Sequence, residues 1–236
     1  MNLSIVIPAK NEEGNLPQLL GELNQTLDAK QYDYEIIVVN DNSSDSTGKI
    51  ADEWSVKFSN IRALHLPSVE KGMGIALKRG TALASGKIVI WIMADRSDEL
   101  KTIYSIVDKI NQANDVVFAS RYMKGGSPGD LNPIKAFLSS GYTFLSKILF
   151  GIKVHDITNA FRGFKKEVFD SLVLEADDFA ISPEFAIKAH LRGFKLAEVP
   201  TRYVNRVAGK SKFGMLNAFI TYTRLFEYFF KRFKRQ

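Results

Sequence analysis

Two aspartates stand where short β-branched runs stop. Asp41 follows Ile36-Ile37-Val38-Val39-Asn40 and opens the polar stretch Asn42-Ser43-Ser44-Asp45-Ser46-Thr47, and Asp95 closes the run Ile90-Trp91-Ile92-Met93-Ala94. A carboxylate at the carboxyl end of a strand can accept hydrogen bonds from a nucleobase or a ribose. That chemistry suits Asp41, and the Ser and Asp residues behind it equally suit the cap of a following helix. Asp95 emerges from so apolar a run that a binding role outweighs a structural one, and its hard oxygens suit a divalent cation. Little other chemistry is on offer. The chain has no cysteine, which removes zinc-thiolate sites, iron–sulfur clusters, disulfides and cysteine nucleophiles together. Its three histidines, His65, His155 and His190, are too scattered for a histidine metal cage.

The elements that must position these carboxylates follow from periodicity. Apolar runs at 3–8, 34–40, 61–66, 87–93 and 115–119 read as buried strands, and helix-period segments near 12–29, 46–59, 72–84 and 99–112 lie between them. This alternation predicts an α/β fold, a mostly parallel sheet with helices on both faces. Ligands then belong outside the carboxyl ends of the strands, on loops 10–15, 40–47, 93–98 and 120–130. After the Gly/Pro-rich stretch 125–130 the pattern predicts a helix over 133–150, a loop over 151–159, helices near 165–175 and 183–192, and a short strand at 195–199. A chain of 236 residues, 45% hydrophobic and 25% charged, fits one large domain with a terminal appendage.

The net charge of +6 is unevenly placed. Residues 201–236 hold nine of the 32 Lys and Arg but one of the 26 Asp and Glu. Within that tail Phe219, Tyr222, Phe226, Phe229, Phe230 and Phe233 recur at helical spacing, and Lys231, Arg232, Lys234 and Arg235 crowd the end. A basic amphipathic helix over 213–236 is expected, suited to an anionic membrane surface; the basic residues alternate with the apolar stripe, which argues against nucleic acid as a partner. The docked-core reading of the same stripe stays open. A related stripe, Phe137, Phe144, Leu145, Ile148 and Leu149, offers a second membrane contact. No apolar run is long enough to cross a bilayer, and the amino terminus lacks the basic region of a signal peptide, so the expectation is a cytoplasmic protein, peripheral on the inner face of the membrane.

Six blocks resemble, in order, the motifs of family 2 glycosyltransferases of the GT-A fold, in the branch that acts on polyprenyl phosphates. They are Ile5-Val6-Ile7-Pro8-Ala9-Lys10-Asn11-Glu12-Glu13, the Val38 to Thr47 block, Lys71-Gly72-Met73-Gly74, Ala119-Ser120-Arg121-Tyr122, Asp156-Ile157-Thr158-Asn159-Ala160-Phe161-Arg162-Gly163-Phe164, and Glu198-Val199-Pro200 through Arg206-Val207-Ala208-Gly209-Lys210-Ser211-Lys212. The likeness implies a GT-A catalytic domain over 1–212 and inverting transfer of a hexose, of mannose or glucose type, from a nucleotide-sugar to a polyprenyl (dolichol or undecaprenyl) phosphate. It implies Pro8, Lys10, Glu12, Asp41, Met93, Ala94, Asp95 and Ser97 around the donor, with Arg206 and Lys212 neutralising its diphosphate. Asp95 would sit on Mg²⁺ or Mn²⁺, and Arg121, helped by Lys135 and Ser139, would face the acceptor phosphate. The implied partners are donor, lipid acceptor and membrane surface, and a separate membrane protein fits beside them.

One departure stands out. Family members carry Asp-x-Asp where this chain has Met93-Ala94-Asp95, so one hard ligand is replaced by a thioether. Asp98 stands near enough in sequence to help hold the ion. Two alternatives follow: a hydroxyl acceptor, with Asp177, Asp178 or Glu184 as the nearest bases by position, or a catalytically impaired homologue that binds nucleotide-sugar without turnover.

Overall fold

The computed structural model describes residues 2–129 and 131–204, together with Arg224, Glu227 and Phe230. Five strands and four helices alternate first: β1 Leu3–Ala9, α1 Leu16–Asp28, β2 Tyr34–Asn40, α2 Thr47–Lys57, β3 Ile61–His65, α3 Met73–Leu83, β4 Ile88–Trp91, α4 Thr102–Asn111 and β5 Val116–Ser120. Then come α5 Pro133–Phe150, β6 Arg162–Lys165, α6 Lys166–Ser171, α7 Ile181–Leu191 and β7 Leu196–Pro200. The sheet order is β3-β2-β1-β4-β6-β5-β7. All neighbours run parallel except β6, which is antiparallel to both β4 and β5.

The parallel α/β expectation holds, and β1 and β2 show why it was legible: every residue of both strands is buried. A strand covered on both faces cannot alternate with polar residues. Ile5, Ile7, Ile36 and Val38 face α1, α2 and α4, while Val6, Ile37, Val39 and Trp91 face α3, α5 and α7. In α1 the core stripe is Leu16, Leu19, Leu20, Leu23 and Leu27, and in α4 it is Ile103, Ile106, Val107 and Ile110, the i, i+3, i+4, i+7 spacing of a one-sided helix.

Two expectations change. Strand β6 is an element that periodicity does not predict, and the helix expected over 165–175 contracts to the six residues of α6. Arg162, Gly163 and Lys165 give β6 no apolar run to detect. It is stable because Arg162 is wholly buried with its guanidinium over the rings of Trp91, Phe118 and Phe185, at 5.7, 5.0 and 5.8 Å. That guanidinium donates to the carbonyls of Ser182 (2.6 Å), Ile157 (3.2 Å), Ala160 (3.3 Å) and Asn159. Burial pulls its pKa down to about 9, and Asp156 opposes the fall.

Helix α5 starts on Pro133, with the Asn132 side chain accepting from the Ile134 (3.0 Å) and Lys135 (3.4 Å) N–H groups. Its inner side buries Tyr142, Thr143, Ser146 and Phe150. Its outer side leaves Ile134, Phe137, Phe144 and Ile148 between 60% and 75% exposed. Leu145 and Leu149, expected on that outer stripe, pack instead against the core. Arg206, Lys212 and the tail helix expected over 213–236 lie outside the described residues, apart from Arg224, Glu227 and Phe230. Among the described residues no helix is long and apolar enough to cross a membrane.

Candidate donor and acceptor site

A cavity of about 300 Å³ opens at the carboxyl ends of β1, β2 and β4. Pro8, Met73, Met93 and Phe179 form its apolar wall, and Lys10, Glu12, Asp41, Asp95 and Asp178 its polar one. A larger groove of about 830 Å³ lies at the opposite ends of the strands, beside Leu3 and Ile88. Its Lys165 and Lys166 are answered by Asp115 and Asp170, both at 2.7–2.8 Å, so it presents paired surface charge in place of convergent carboxylates.

Asp41 is buried at the end of β2. Its N–H donates to the Ala9 carbonyl (2.8 Å), Oδ1 accepts the Gly72 N–H (3.1 Å), and Oδ2 lies 3.5 Å from Lys10 Nζ. Three loops therefore converge on one carboxylate. Glu12 ties the same region down through Asn15 (2.7 Å), and its N–H donates to Thr47 Oγ1 (2.7 Å).

Asp95 is buried beside the cavity, where Oδ1 accepts from Ser97 Oγ (2.6 Å) and the Ser97 N–H (3.1 Å). Ser97, expected on the donor, thus orients Asp95. Ala94 packs into the core, with Met93 and Asp95 of the same motif lining the cavity. Arg96 sits in the left-handed region (φ +59°) and reaches Glu22 of α1 at 2.7 Å, which braces the turn. Asp98 accepts the Met93 N–H (3.0 Å); burial pushes its carboxyl up to about 7, the Met93 hydrogen bond opposes that rise, Asp95 adds to it and Arg121 opposes it.

The donor set tests the metal. Among the described residues no group of three or more acidic or histidine side chains could hold an ion. Asp95 is one carboxylate, Met93 is no hard ligand, and Asp98 is turned to a backbone N–H. This set does not make a closed cage, but it fits an ion of the Mg²⁺ kind, which takes one or two carboxylates and the rest from phosphates and water.

The acceptor candidates gather at the end of β5. Arg121 Nε donates to Asp156 Oδ2 (2.7 Å), and Nη2 donates to Asp156 Oδ1 and Thr158 Oγ1 (both 3.1 Å). The Arg121 guanidinium holds the wholly buried Asp156 carboxyl below its ordinary range against the desolvation that would raise it. The Tyr122 ring lies 5.2 Å from the Arg121 guanidinium, and its hydroxyl meets Ser139 Oγ of α5. Ser139 also donates to the Ala136 carbonyl (3.1 Å), and Lys135 lies one turn earlier on the same helix. Asp156, Thr158 and Tyr122, to which the sequence alone gives no role, join Arg121 here. A lone carboxylate between Val154 and Ile157 was the available signal.

Of the base candidates for a hydroxyl acceptor, Glu184 is buried and accepts from the Glu175 and Ala176 N–H groups (both 2.8 Å) and Lys188 Nζ (2.6 Å). Asp177 pairs with Lys78 (2.7 Å), and Asp178, which lines the cavity, pairs with Arg224 (3.1 Å).

Known proteins resemble this chain in sequence and in fold. The chain is 32% identical over 215 residues to a dolichol-phosphate mannosyltransferase of Pyrococcus furiosus, covering 90% of this chain and 59% of that one. It is 29% identical over 220 residues to a polyprenol monophosphomannose synthase of Mycolicibacterium smegmatis, covering 90% and 81%. The chain thus spans less than two thirds of the Pyrococcus relative. Among solved structures, the mannosyl-3-phosphoglycerate synthase from Rubrobacter xylanophilus superposes with a TM-score of 0.76 at 16% identity, covering 100% of this chain and 76% of that one. The glucosyl-3-phosphoglycerate synthase from Mycobacterium tuberculosis, in complex with Mn²⁺, UDP and phosphoglyceric acid, gives 0.64 at 21% identity, covering 87% and 71%. At these identities the two structures show the fold alone, a GT-A-like sheet flanked by helices. The family described as glycosyl transferase family 2 matches residues 4–173, and this chain belongs to it.

Proposed function

We propose that the protein transfers a hexosyl group from a nucleoside-diphosphate sugar, GDP-mannose or a UDP-hexose, to a polyprenyl phosphate at the cytoplasmic surface of a membrane, with inversion at the anomeric carbon. The observation that carries the reading is two poles on one sheet edge. A cavity holds Asp41 and Asp95, and Arg121, which shares an electrostatic neighbourhood with Asp98, stands at the carboxyl end of β5, beyond β6. The names of the two curated relatives support a polyprenyl acceptor.

In this reading Asp41 accepts hydrogen bonds from base or ribose, and Asp95 sits at the diphosphate with Arg206 and Lys212. When bound, Mg²⁺ or Mn²⁺ supplies charge neutralisation to the leaving diphosphate. An acceptor phosphate oxygen forms the new bond to the anomeric carbon as the bond to the nucleoside diphosphate breaks. A phosphate monoester is already anionic near neutral pH, so no side chain need remove a proton. The engagement of Glu184 and Asp177 in structural pairs supports this over a hydroxyl acceptor.

A thermal-shift screen of nucleotide-sugars with Mn²⁺, followed by transfer assays on a polyprenyl phosphate, tests the reading. Arg121→Lys keeps a cation against Asp156 and loses the planar fork. It is expected to raise KM for the lipid phosphate about tenfold with donor affinity unchanged, because charge-assisted hydrogen bonds contribute roughly 1.5–3 kcal/mol. Arg206→Ala is expected to weaken GDP or UDP binding in calorimetry. If both variants lose donor binding equally, the division into donor and acceptor poles is wrong; absence of transfer from every nucleotide-sugar would point to a binding-only homologue.

A further inference from the structure

Next to Asp41, a chain of side-chain hydrogen bonds runs through three elements, and none of its members lines the cavity. It begins at Asn40, the last residue of β2. The Asn40 Oδ1 accepts the Ser43 N–H at 3.1 Å, which leaves its amide nitrogen facing His65 Nδ1 at 3.0 Å. An amide nitrogen can only donate, so Nδ1 is the acceptor and the ring proton resides on Nε2. Nε2 in turn donates to Asp52 Oδ1 of α2 at 2.8 Å. Asp52 therefore selects the tautomer, the tautomer selects the amide orientation, and the amide holds the first turn of the loop that carries Asp41.

Two further observations tie this relay to the donor pocket. Ser43 passes it on: Ser43 Oγ accepts the Asn11 N–H (3.0 Å), and Asn11 Oδ1 accepts the Ser44 N–H (2.8 Å). Asn11 stands between Lys10 and Glu12, both of which line the cavity. Asn11 and Asn42 also hold left-handed backbones, φ +52° and +51°, a conformation that asparagine adopts more readily than other residues with a side chain. Independently, Gly48 of α2 leaves room for the relay, since a Cβ there would lie 2.9 Å from Asn40 Nδ2 and 3.4 Å from His65 Cε1.

Building on the donor-pocket reading above, we propose that His65 is a positioning residue for that pocket: by presenting Nδ1 as an acceptor it fixes the Asn40 amide, and through Ser43 and Asn11 the two loops that place Asp41 and Lys10.

The chemistry of the imidazole separates the variants. His65→Asn keeps an acceptor near the position of Nδ1, His65→Gln keeps a polar group only near Nε2, and His65→Leu keeps neither. The full chain is used throughout, with amide exchange at Ser43 and calorimetry with GDP and with UDP as readouts. His65→Leu and His65→Gln are expected to speed Ser43 exchange and weaken the nucleotide that binds, each about three- to tenfold, as loss of one net hydrogen bond implies. His65→Asn should stay within about twofold on both, since its acceptor is retained. His65 is half-exposed, so all three are expected to stay within a few degrees of the parent's melting temperature. Ser43 exchange unchanged in His65→Leu, or His65→Asn failing as badly as His65→Leu, would overturn the relay. Asp41→Asn tells the two readings apart. If it binds GDP and UDP as the parent does, the donor-pocket reading fails, while Ser43 exchange still decides the relay.

Discussion

Burial lifts the Asp98 carboxyl to about 7 although Met93 donates a hydrogen bond to it. An unfolded aspartate loses its proton near pH 4. Between about 4 and 7 the folded chain therefore binds a proton that the unfolded chain has lost, and stability falls as pH rises through that window. Asp98→Asn keeps an acceptor for the Met93 N–H and removes the charge. It is expected to raise the melting temperature at pH 8 by several degrees, with the gain shrinking toward pH 4, on the order of what a few kcal/mol produces in a chain of this size. Melting curves at four pH values check this, and a gain independent of pH would show that Asp98 does not titrate there. The neighbouring position gives a second prediction. Met93 lines the cavity where a carboxylate would be a hard ligand, so Met93→Asp is expected to tighten Mn²⁺ binding in the presence of GDP or UDP. Unchanged affinity would mean that residue 93 does not face the ion. Asp41 and Asp95 were legible in the sequence because a carboxylate ending an apolar run is conspicuous. The Arg121–Asp156 pair was not, because its partners lie 35 residues apart and meet only through the fold.

At the scale of elements, legibility followed burial pattern. Strands β1, β2 and β5 are buried along their whole length and read as apolar runs, whereas β6 owes its place to its neighbours. Gly163 of β6 faces α4 so closely that a Cβ would lie 2.3 Å from Ile106 Cγ2 and 3.3 Å from Ile110 Cδ1. Gly163→Ala is thus expected to cost about 1–3 kcal/mol in urea unfolding, the usual penalty of overpacking. Ile106→Leu removes the offending Cγ2 methyl, so adding it should recover part of that loss. Two penalties that simply add would show that β6 and α4 do not meet there. The loop after α5 depends on β6 as well, because Arg162 gathers the carbonyls of Ile157 and Asn159 on either side of Thr158. The same substitution should therefore disturb the acceptor pole while leaving nucleotide binding intact.

The whole molecule adds an orientation that no single element supplies. Helix α5 carries Lys135 and Lys147 and no acidic residue, and it exposes Ile134, Phe137, Phe144 and Ile148 along one side. Elsewhere on the same helix Ser139 meets Tyr122 beside Arg121. With the apolar side of α5 in the headgroup region, the site would be held at the membrane surface, where the isoprenoid of an acceptor can stay in the bilayer. The basic surplus of residues 201–236 would add attraction to anionic lipid, roughly 1 kcal/mol for each cation near the surface. The double substitution Phe137→Ser with Phe144→Ser removes apolar area that the fold does not bury, so the melting temperature should hold. Sedimentation with phosphatidylglycerol vesicles should show weaker binding, and activity should fall more on a long-chain polyprenyl phosphate than on a short water-soluble one. A chain lacking residues 219–236 should also bind these vesicles less, and less salt-sensitively than the serine variant, since the deletion removes five cations that the serine variant keeps. If the serine variant binds vesicles as well as the parent, or loses both substrates alike, α5 covers something other than lipid.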